Sequence, residues 1–125
     1  MVSAEIVRNG TYLLTQRAPH AVLPHLWEFP GGRVREGESD GAALQRAIGE
    51  RIGCVPEVGE LLLEVTHPYS GYDLTLALYR CDIGTQSPSV GLVADVAWVA
   101  PADFGSYPFP GADQKTIDLL LGRAS

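Results

Sequence analysis

Between Trp27 and Cys54 the chain sets a glycine pair, a charged loop and a helical stretch in fixed order, and the polar residues of that stretch could do chemistry. Gly31 and Gly32 carry no Cβ, so the backbone can turn sharply there and approach a ligand or metal closely. Taken alone, the pair is only a tight turn. On a helix, positions 46 and 50 lie one turn apart, and 47, 50 and 51 share a face. Carboxylates on that face would concentrate negative charge and hard oxygen ligands, which suits Mg²⁺ held jointly with water and substrate phosphates. The face here holds Ala47, Glu50 and Arg51: a methyl group, one acid and one cation. Taken alone, Glu50 reads first as a solvated helix residue paired with Arg46.

These residues need elements to position them. Ala4 to Arg8 and Thr11 to Gln16 read as strands joined by Asn9-Gly10, the dipeptide that most readily supplies the positive φ angles of a two-residue hairpin. Ala18 to Pro24 is an irregular loop leading to a short extended piece at Leu26 to Phe29. Ser39 and Asp40 suit the N-cap of a helix from Gly41 to Ile52, which Gly53 stops, with Leu44, Ile48 and Ile52 as an apolar stripe flanked by Ala43 and Ala47. Leu61 to Thr66, Asp73 to Cys81 and Val96 to Val99 read as further strands, with Gly84 to Val90 a loop. Pro101-Ala102-Asp103 starts a helical turn. A last helix spans Ala112 to Leu121, burying Ile117, Leu120 and Leu121. The order predicts an α+β domain, a mixed sheet between helices, over residues 1–125.

The run from Gly32 resembles the Nudix box of the pyrophosphohydrolases. In that box a glycine is followed after five residues by Glu, after seven more by Arg-Glu, and then by Glu-Glu and a Gly-apolar pair. Gly32, Glu38, Arg46, Ile48, Glu50, Gly53 and Cys54 match; Ala47 and Arg51 stand where the family carries acids. The resemblance implies the Nudix fold, an α/β/α sandwich. It also implies an Mg²⁺ or Mn²⁺ cofactor bound by the Gly32 carbonyl and by Glu50, and an ion pair of Arg46 with Glu38 that orients the loop, Glu38 also contributing to proton transfer. Glu38, Arg46 and Glu50 are thus the expected catalytic set, with no general base assigned because Ala47 occupies its place. Arg51 works against a divalent ion: at ~5 Å and an effective dielectric near 20, one unit charge interacts with Mg²⁺ by on the order of 6 kcal/mol before solvent relaxation. Arg51 either points away from the cleft or contacts phosphate directly in the metal's place.

The likeness extends from the first hairpin to Tyr107–Asp113 and is similar to the MutT-type branch, which converts nucleoside triphosphates, often oxidised purine ones, to monophosphate and pyrophosphate. It implies Arg17 facing the phosphates, Phe29 facing the base, and Asp113 hydrogen-bonding the purine edge, with Phe29 and Tyr72 supplying stacking area. The plain readings of these residues are a surface charge for Arg17, core for Phe29 and a helix cap for Asp113. His20, His25 and His67 lack metal spacing, and Trp27 and Trp98 read as packing residues.

At 125 residues and 46% hydrophobic composition the chain can bury a core without staples. Cys54 and Cys81 sit in apolar segments outside any CxxC pair and read as buried free thiols, which favours a reducing cytoplasm. No run approaches the ~18 apolar residues of a membrane span, and the N-terminus lacks the order of a secretory signal. A net charge of −6 argues against a protein that coats duplex nucleic acid. A single free nucleotide, held by one or two arginines, remains compatible with it. The sequence therefore supports three functions: a nucleotide hydrolase with weakened metal binding, a catalytically silent nucleotide-binding module, or a protein-interaction domain with no ligand in the base pocket.

Overall fold

The computed structural model describes residues 1–122. Its elements run β1 (Val2–Glu5), β2 (Val7–Arg8), β3 (Thr11–Gln16), β4 (Trp27–Glu28), β5 (Gly31–Gly32), α1 (Asp40–Ile52), β6 (Glu57–Tyr69), β7 (Tyr72–Asp82), β8 (Asp95–Val99), a 3₁₀ turn (Pro101–Ser106) and α2 (Gly111–Leu120). One sheet has the order β5-β1-β7-β6, with β1 and β7 parallel and the other pairs antiparallel. In the second sheet, β3 pairs with β2, β4 and β8.

Alternation along β7 makes the main sheet a middle layer. Ala77 and Cys81 join a cluster with Val2, Ala4, Leu44, Ile48 and Ile52 on the α1 side, while Leu76 and Leu78 join Val65, Phe104, Ala112 and Ile117 on the α2 side. A strand covered on both faces carries apolar residues without polar alternation, as Leu76-Ala77-Leu78 does. The result is the expected mixed sheet between helices. Both cysteines are buried and unpaired. No helix among the described residues is long and apolar enough to cross a membrane.

The predicted α1 forms closely. Ser39 has an extended backbone and its side chain accepts a bond from the Ala42 N–H, and Gly53 ends the helix in the left-handed region at φ 68°. The stripe Ala43, Leu44, Ala47, Ile48 and Ile52 is fully buried. The Asn9-Gly10 turn also forms, with φ 52° and 75° at its centre.

Two expectations are corrected. The strand predicted over Ala4 to Arg8 is divided at Ile6: β1 runs in the main sheet beside β7, and only Val7–Arg8 belongs to the hairpin. The parallel partner 75 residues away outweighs the local turn, and hydrophobic pattern alone does not reveal which sheet a strand joins. The buried face of α2 is Ala112, Asp113, Thr116 and Ile117, with Leu120 and Leu121 only partly covered. The β6–β7 hairpin is also longer than the segments predicted for it.

Truncation of the α1 stripe tests this packing. Ile48→Ala should lower the unfolding free energy by about 2–5 kcal/mol, and Ser39→Ala by about 1 kcal/mol, in urea titrations. Equal losses at the two positions would contradict a helix fixed mainly by its buried stripe.

Candidate active site

The glycine bend fixes one wall of the site. A Cβ at Gly31 would collide with the carbonyl oxygen of Val2, and one at Gly32 would stand 2.9 Å from Arg51 Nη1 and 3.0 Å from the Ala47 Cβ. The backbone of β5 is thus wedged between β1 and α1, and the face of α1 turned toward it carries Ala47 and Arg51. Arg51 does not point away from the bend.

The loop between the bend and α1 is held by one carboxylate. Glu38 accepts bonds from Arg46 Nε at 2.8 Å and Nη2 at 3.0 Å and from the backbone N–H of Arg35 at 2.9 Å, while Arg46 Nη2 also donates to the Arg33 carbonyl at 2.7 Å. These bonds, the Arg46 side chain first, hold the Glu38 carboxyl down to about 2. Such an anion is a fixed acceptor for the loop and a weak base. Glu50 lines the same cleft as Gly32, with Oε1 3.5 Å from Arg46 Nη1 and 3.9 Å from Arg35 Nη2.

The last turn of α1 is fixed from outside the helix. The segment before β8 sends the N–H groups of Ser89, Gly91 and Leu92 to the carbonyls of Ile52, Arg51 and Glu50, at 2.9, 2.8 and 3.3 Å. These are carbonyls that a helix C-terminus otherwise leaves unmade. A Cβ at Gly91 would meet the Glu50 carbonyl at 2.5 Å. Asp95, the acid nearest this loop, accepts the N–H of Val96 and pairs in register with Gln16.

Two cavities share a wall. An open cleft of about 470 Å³ contains Gly32, Arg17, Arg33, Arg35, Arg46, Arg51, Glu28 and Glu50. An adjacent pocket shares Arg17, Glu28 and Arg33 with it and adds Tyr69, Tyr72, Leu74, Pro110 and Asp113. Arg17 and Glu28 form a 2.9 Å ion pair at the junction. Burial raises the Glu28 carboxyl, against the opposing effects of Arg17 and Arg51. The sequence reading missed Glu28; an acid between two aromatic residues of an extended run, next to the glycine turn, is the signal that could have found it.

Asp113 sits in the first turn of α2, 3% exposed, with Oδ1 lacking a hydrogen-bond partner. It is not the helix cap, which is Pro110. Burial, then the Glu28 carboxylate, raises its carboxyl well above the ordinary value, with Arg17 and the backbone N–H groups of Phe29 and Asp113 opposing. The hairpin positions this turn: Tyr69 Oη accepts the Ala112 N–H at 2.9 Å, and Lys115 Nζ donates to the Thr66 carbonyl at 2.9 Å. Tyr72 is 47% exposed and stacked on Tyr69 at 5.4 Å. Phe29, expected to face a base, is fully buried just after β4 with its ring edge-on to Tyr12, which makes it core. The structure brings Gly32, Arg46 and Glu50 into the cleft, sets Arg17 at the junction and puts Tyr72 and Asp113 in the pocket. Glu38 stands behind Arg46.

The cleft's donor set does not fit a divalent ion. A hard cation requires several oxygen ligands. Here Glu50 is paired with two arginines, Glu28 with a third, and a guanidinium lies against Gly32. No group of three or more His, Cys, Asp or Glu able to hold a metal occurs among the described residues. Gly32 and Glu50, the residues expected to hold a metal between them, both face the cleft, where arginines supply the fixed positive charge.

Known proteins resemble this chain along most of its length. A NUDIX domain model matches residues 2–119. A CTP pyrophosphohydrolase of Escherichia coli is 31% identical over 121 residues, covering 97% of this chain and 90% of that one. An 8-oxo-dGTP diphosphatase of Haemophilus influenzae is 32% identical over 124 residues, covering 98% and 91%. The crystal structure of a MutT NUDIX hydrolase from Burkholderia pseudomallei superposes with a TM-score of 0.82 at 28% identity, over 94% of this chain and 93% of that one.

The Glu38–Arg46 pair carries a pH signature. A carboxyl depressed by folding contributes stability that is complete above its unfolded value near 4.5 and is lost as pH falls toward about 2. Glu38→Gln should therefore be less stable than the parent at pH 7, with the gap closing between about pH 4.5 and 2 in denaturation curves. A gap independent of pH would remove the pair from this role.

Proposed function

The chain belongs to the Nudix family, and from that premise we propose that it is a Nudix-type hydrolase of nucleoside di- or triphosphate derivatives, MutT-like in releasing pyrophosphate, with turnover slowed by its incomplete carboxylate set. The observation that carries this reading is the shared wall: an arginine cleft suited to phosphates opens directly beside a pocket with aromatic walls and a buried carboxyl suited to a base.

In this reading the base enters between Tyr72 and Asp113. Burial favours the protonated form of the Asp113 carboxyl, and in that form it both donates and accepts, so Asp113 can pair with adjacent donor and acceptor atoms on a purine edge. The relatives that act on 8-oxo-dGTP and on CTP make oxidised purine and pyrimidine triphosphates the substrates to test. The phosphates extend past Arg17 and Arg33 into the cleft, where guanidinium groups match phosphate oxygens in charge and fork geometry. Arg46, with Glu38 behind it, holds the loop that closes one side.

Hydrolysis needs a water oxygen to attack phosphorus while the bond to the pyrophosphate leaving group breaks, and the water must lose a proton. Glu50 is the carboxylate that α1 presents to the cleft and the acceptor this chain offers; the buried methyl of Ala47 accepts nothing. The family implies a divalent cation, Mg²⁺ or Mn²⁺, which would add charge neutralisation at the phosphates. The chain alone supplies too few free oxygens for it, hence the slow turnover. Arg51 against Gly32 favours a second reading, a module that holds the nucleotide without cleaving it.

Pyrophosphate release from 8-oxo-dGTP and CTP, in Mg²⁺ and in Mn²⁺, should exceed an enzyme-free blank while remaining slow. Release at the blank level with nucleotide still raising the melting temperature selects the second reading. If neither release nor stabilisation occurs, both readings are lost. Asp113→Ala should weaken nucleotide binding about tenfold by deleting one buried hydrogen-bonding group, whereas Asp113→Asn stays near the parent. In the parent alone, binding should weaken as pH rises through the Asp113 carboxyl, because deprotonation removes the donor that Asn retains. Equal loss in the two variants would remove Asp113 from base recognition.

A further inference from the structure

We propose that Arg51 is a resident cation of the cleft, taking the phosphate chain of a nucleoside di- or triphosphate directly, so that the nucleotide binds without a divalent metal. This deepens the function proposed above and rests on the cleft being the phosphate site.

Three observations carry it. The first is placement. Arg51 stands on the α1 face that meets the glycine bend, with Nη1 2.9 Å from where a Gly32 Cβ would stand, and the small Ala47 beside it leaves the guanidinium room. Its root is held by the N–H groups of Gly91 and Leu92 on the carbonyls of Arg51 and Glu50, so the last helical turn does not need to reorganise on binding.

The second is unused donor capacity. Arg46 is committed to Glu38 and the Arg33 carbonyl, and Arg17 to Glu28 and the Val22 carbonyl. The Arg51 guanidinium makes no hydrogen bond or ion pair among the described residues. It has five N–H donors in a planar fork and stays protonated in proteins. Burial works against its charge, with Glu28 and Glu50 offsetting part of that effect through space. A phosphate would satisfy donors that the protein leaves unmade.

The third is charge. The protein carries −6 overall, yet five of its nine basic side chains line this one cleft against two glutamates. A site for a bare cation would carry the opposite balance. An arginine cluster in an open cleft attracts a polyphosphate, and a divalent ion would be repelled by the same cluster.

The test is calorimetric titration of the whole chain with a non-hydrolysable nucleoside triphosphate, in EDTA and in Mg²⁺. Binding in EDTA should lie within about threefold of that in Mg²⁺, and Arg51→Ala should weaken the EDTA affinity about ten- to a hundredfold, the range for losing a charged hydrogen-bonding partner. Arg51→Lys, a point charge without the fork, should fall between them. Arg51→Glu should abolish binding in EDTA and recover part of it in Mg²⁺. Parent binding that requires Mg²⁺ overturns the proposal without any variant, and leaves the nucleotide reading intact. Arg51→Ala that folds and binds like the parent in EDTA overturns it as well. No binding in either medium overturns both the proposal and the nucleotide reading beneath it.

Discussion

The structure depends on the close approach of the β5 backbone to two elements at once. On one side Gly31 lies against the Val2 carbonyl and locks β5 to the edge of the main sheet; on the other Gly32 lies against Ala47 and Arg51 of α1. No residue with a Cβ fits at either position without displacing one of these partners. The contact sets the depth at which α1 rides on the sheet, because the same helix buries its apolar stripe against β1 and β7. It also decides which side chains of α1 reach the cleft. Position 48 goes to the core, position 46 to the loop, and positions 47 and 51 to the bend.

The charged loop follows from that contact. Between the bend and the first turn of α1 the chain has few apolar side chains with which to pack, so its conformation is held by hydrogen bonds. Glu38 and Arg46 make most of them and bring the loop back over the helix. The backbone that crosses the other end of α1 acts similarly, through Ser89, Gly91 and Leu92. The helix is therefore fixed at both termini by segments that do not pack as core. Motion of α1 along its axis is restrained by polar contacts, and motion away from the sheet by apolar ones.

How much of this is legible in the sequence depends on how local the cause is. Helix α1 is legible because its cap, its stripe and its stop all lie between Ser39 and Gly53 and agree. The Asn9-Gly10 turn is legible because two positive φ angles in succession require those residue types. The division at Ile6 is not, since it is made by β7 from the far half of the chain. Phe29 and Glu28 show the same limit: these neighbours at the end of β4 meet different surroundings, Glu28 the cleft and Phe29 the core, and so short an extended run has no periodicity to say which side is core. The Arg46–Glu38 link and the inward Asp113 are anticipated by resemblance to the family. The missing hydrogen bond at Asp113 Oδ1 and the junction formed by Arg17 and Glu28 emerge only from tertiary packing.

The direction of Arg51 bears on what a fold conserves when its chemistry changes. A helix face fixes where a side chain begins and which space it enters; it does not fix the sign of the charge placed there. Once α1 is docked, residue 51 must enter the cleft whatever its type, because rotating it to solvent would rotate Ile48 and Ile52 out of the core. A cation there needs compensation, and the through-space partners are Glu28 and Glu50, neither within ion-pairing distance of it. Glu28 is itself buried and costly to keep ionised, so two adjacent arginines favour its charge while it favours theirs. The cleft is thus an unsaturated cationic network, short of acceptors. Phosphate oxygens are acceptors of the matching charge, so the exchange of acid for base on one helix face moves the site's preference from a metal ion toward the anion that the metal would otherwise have held.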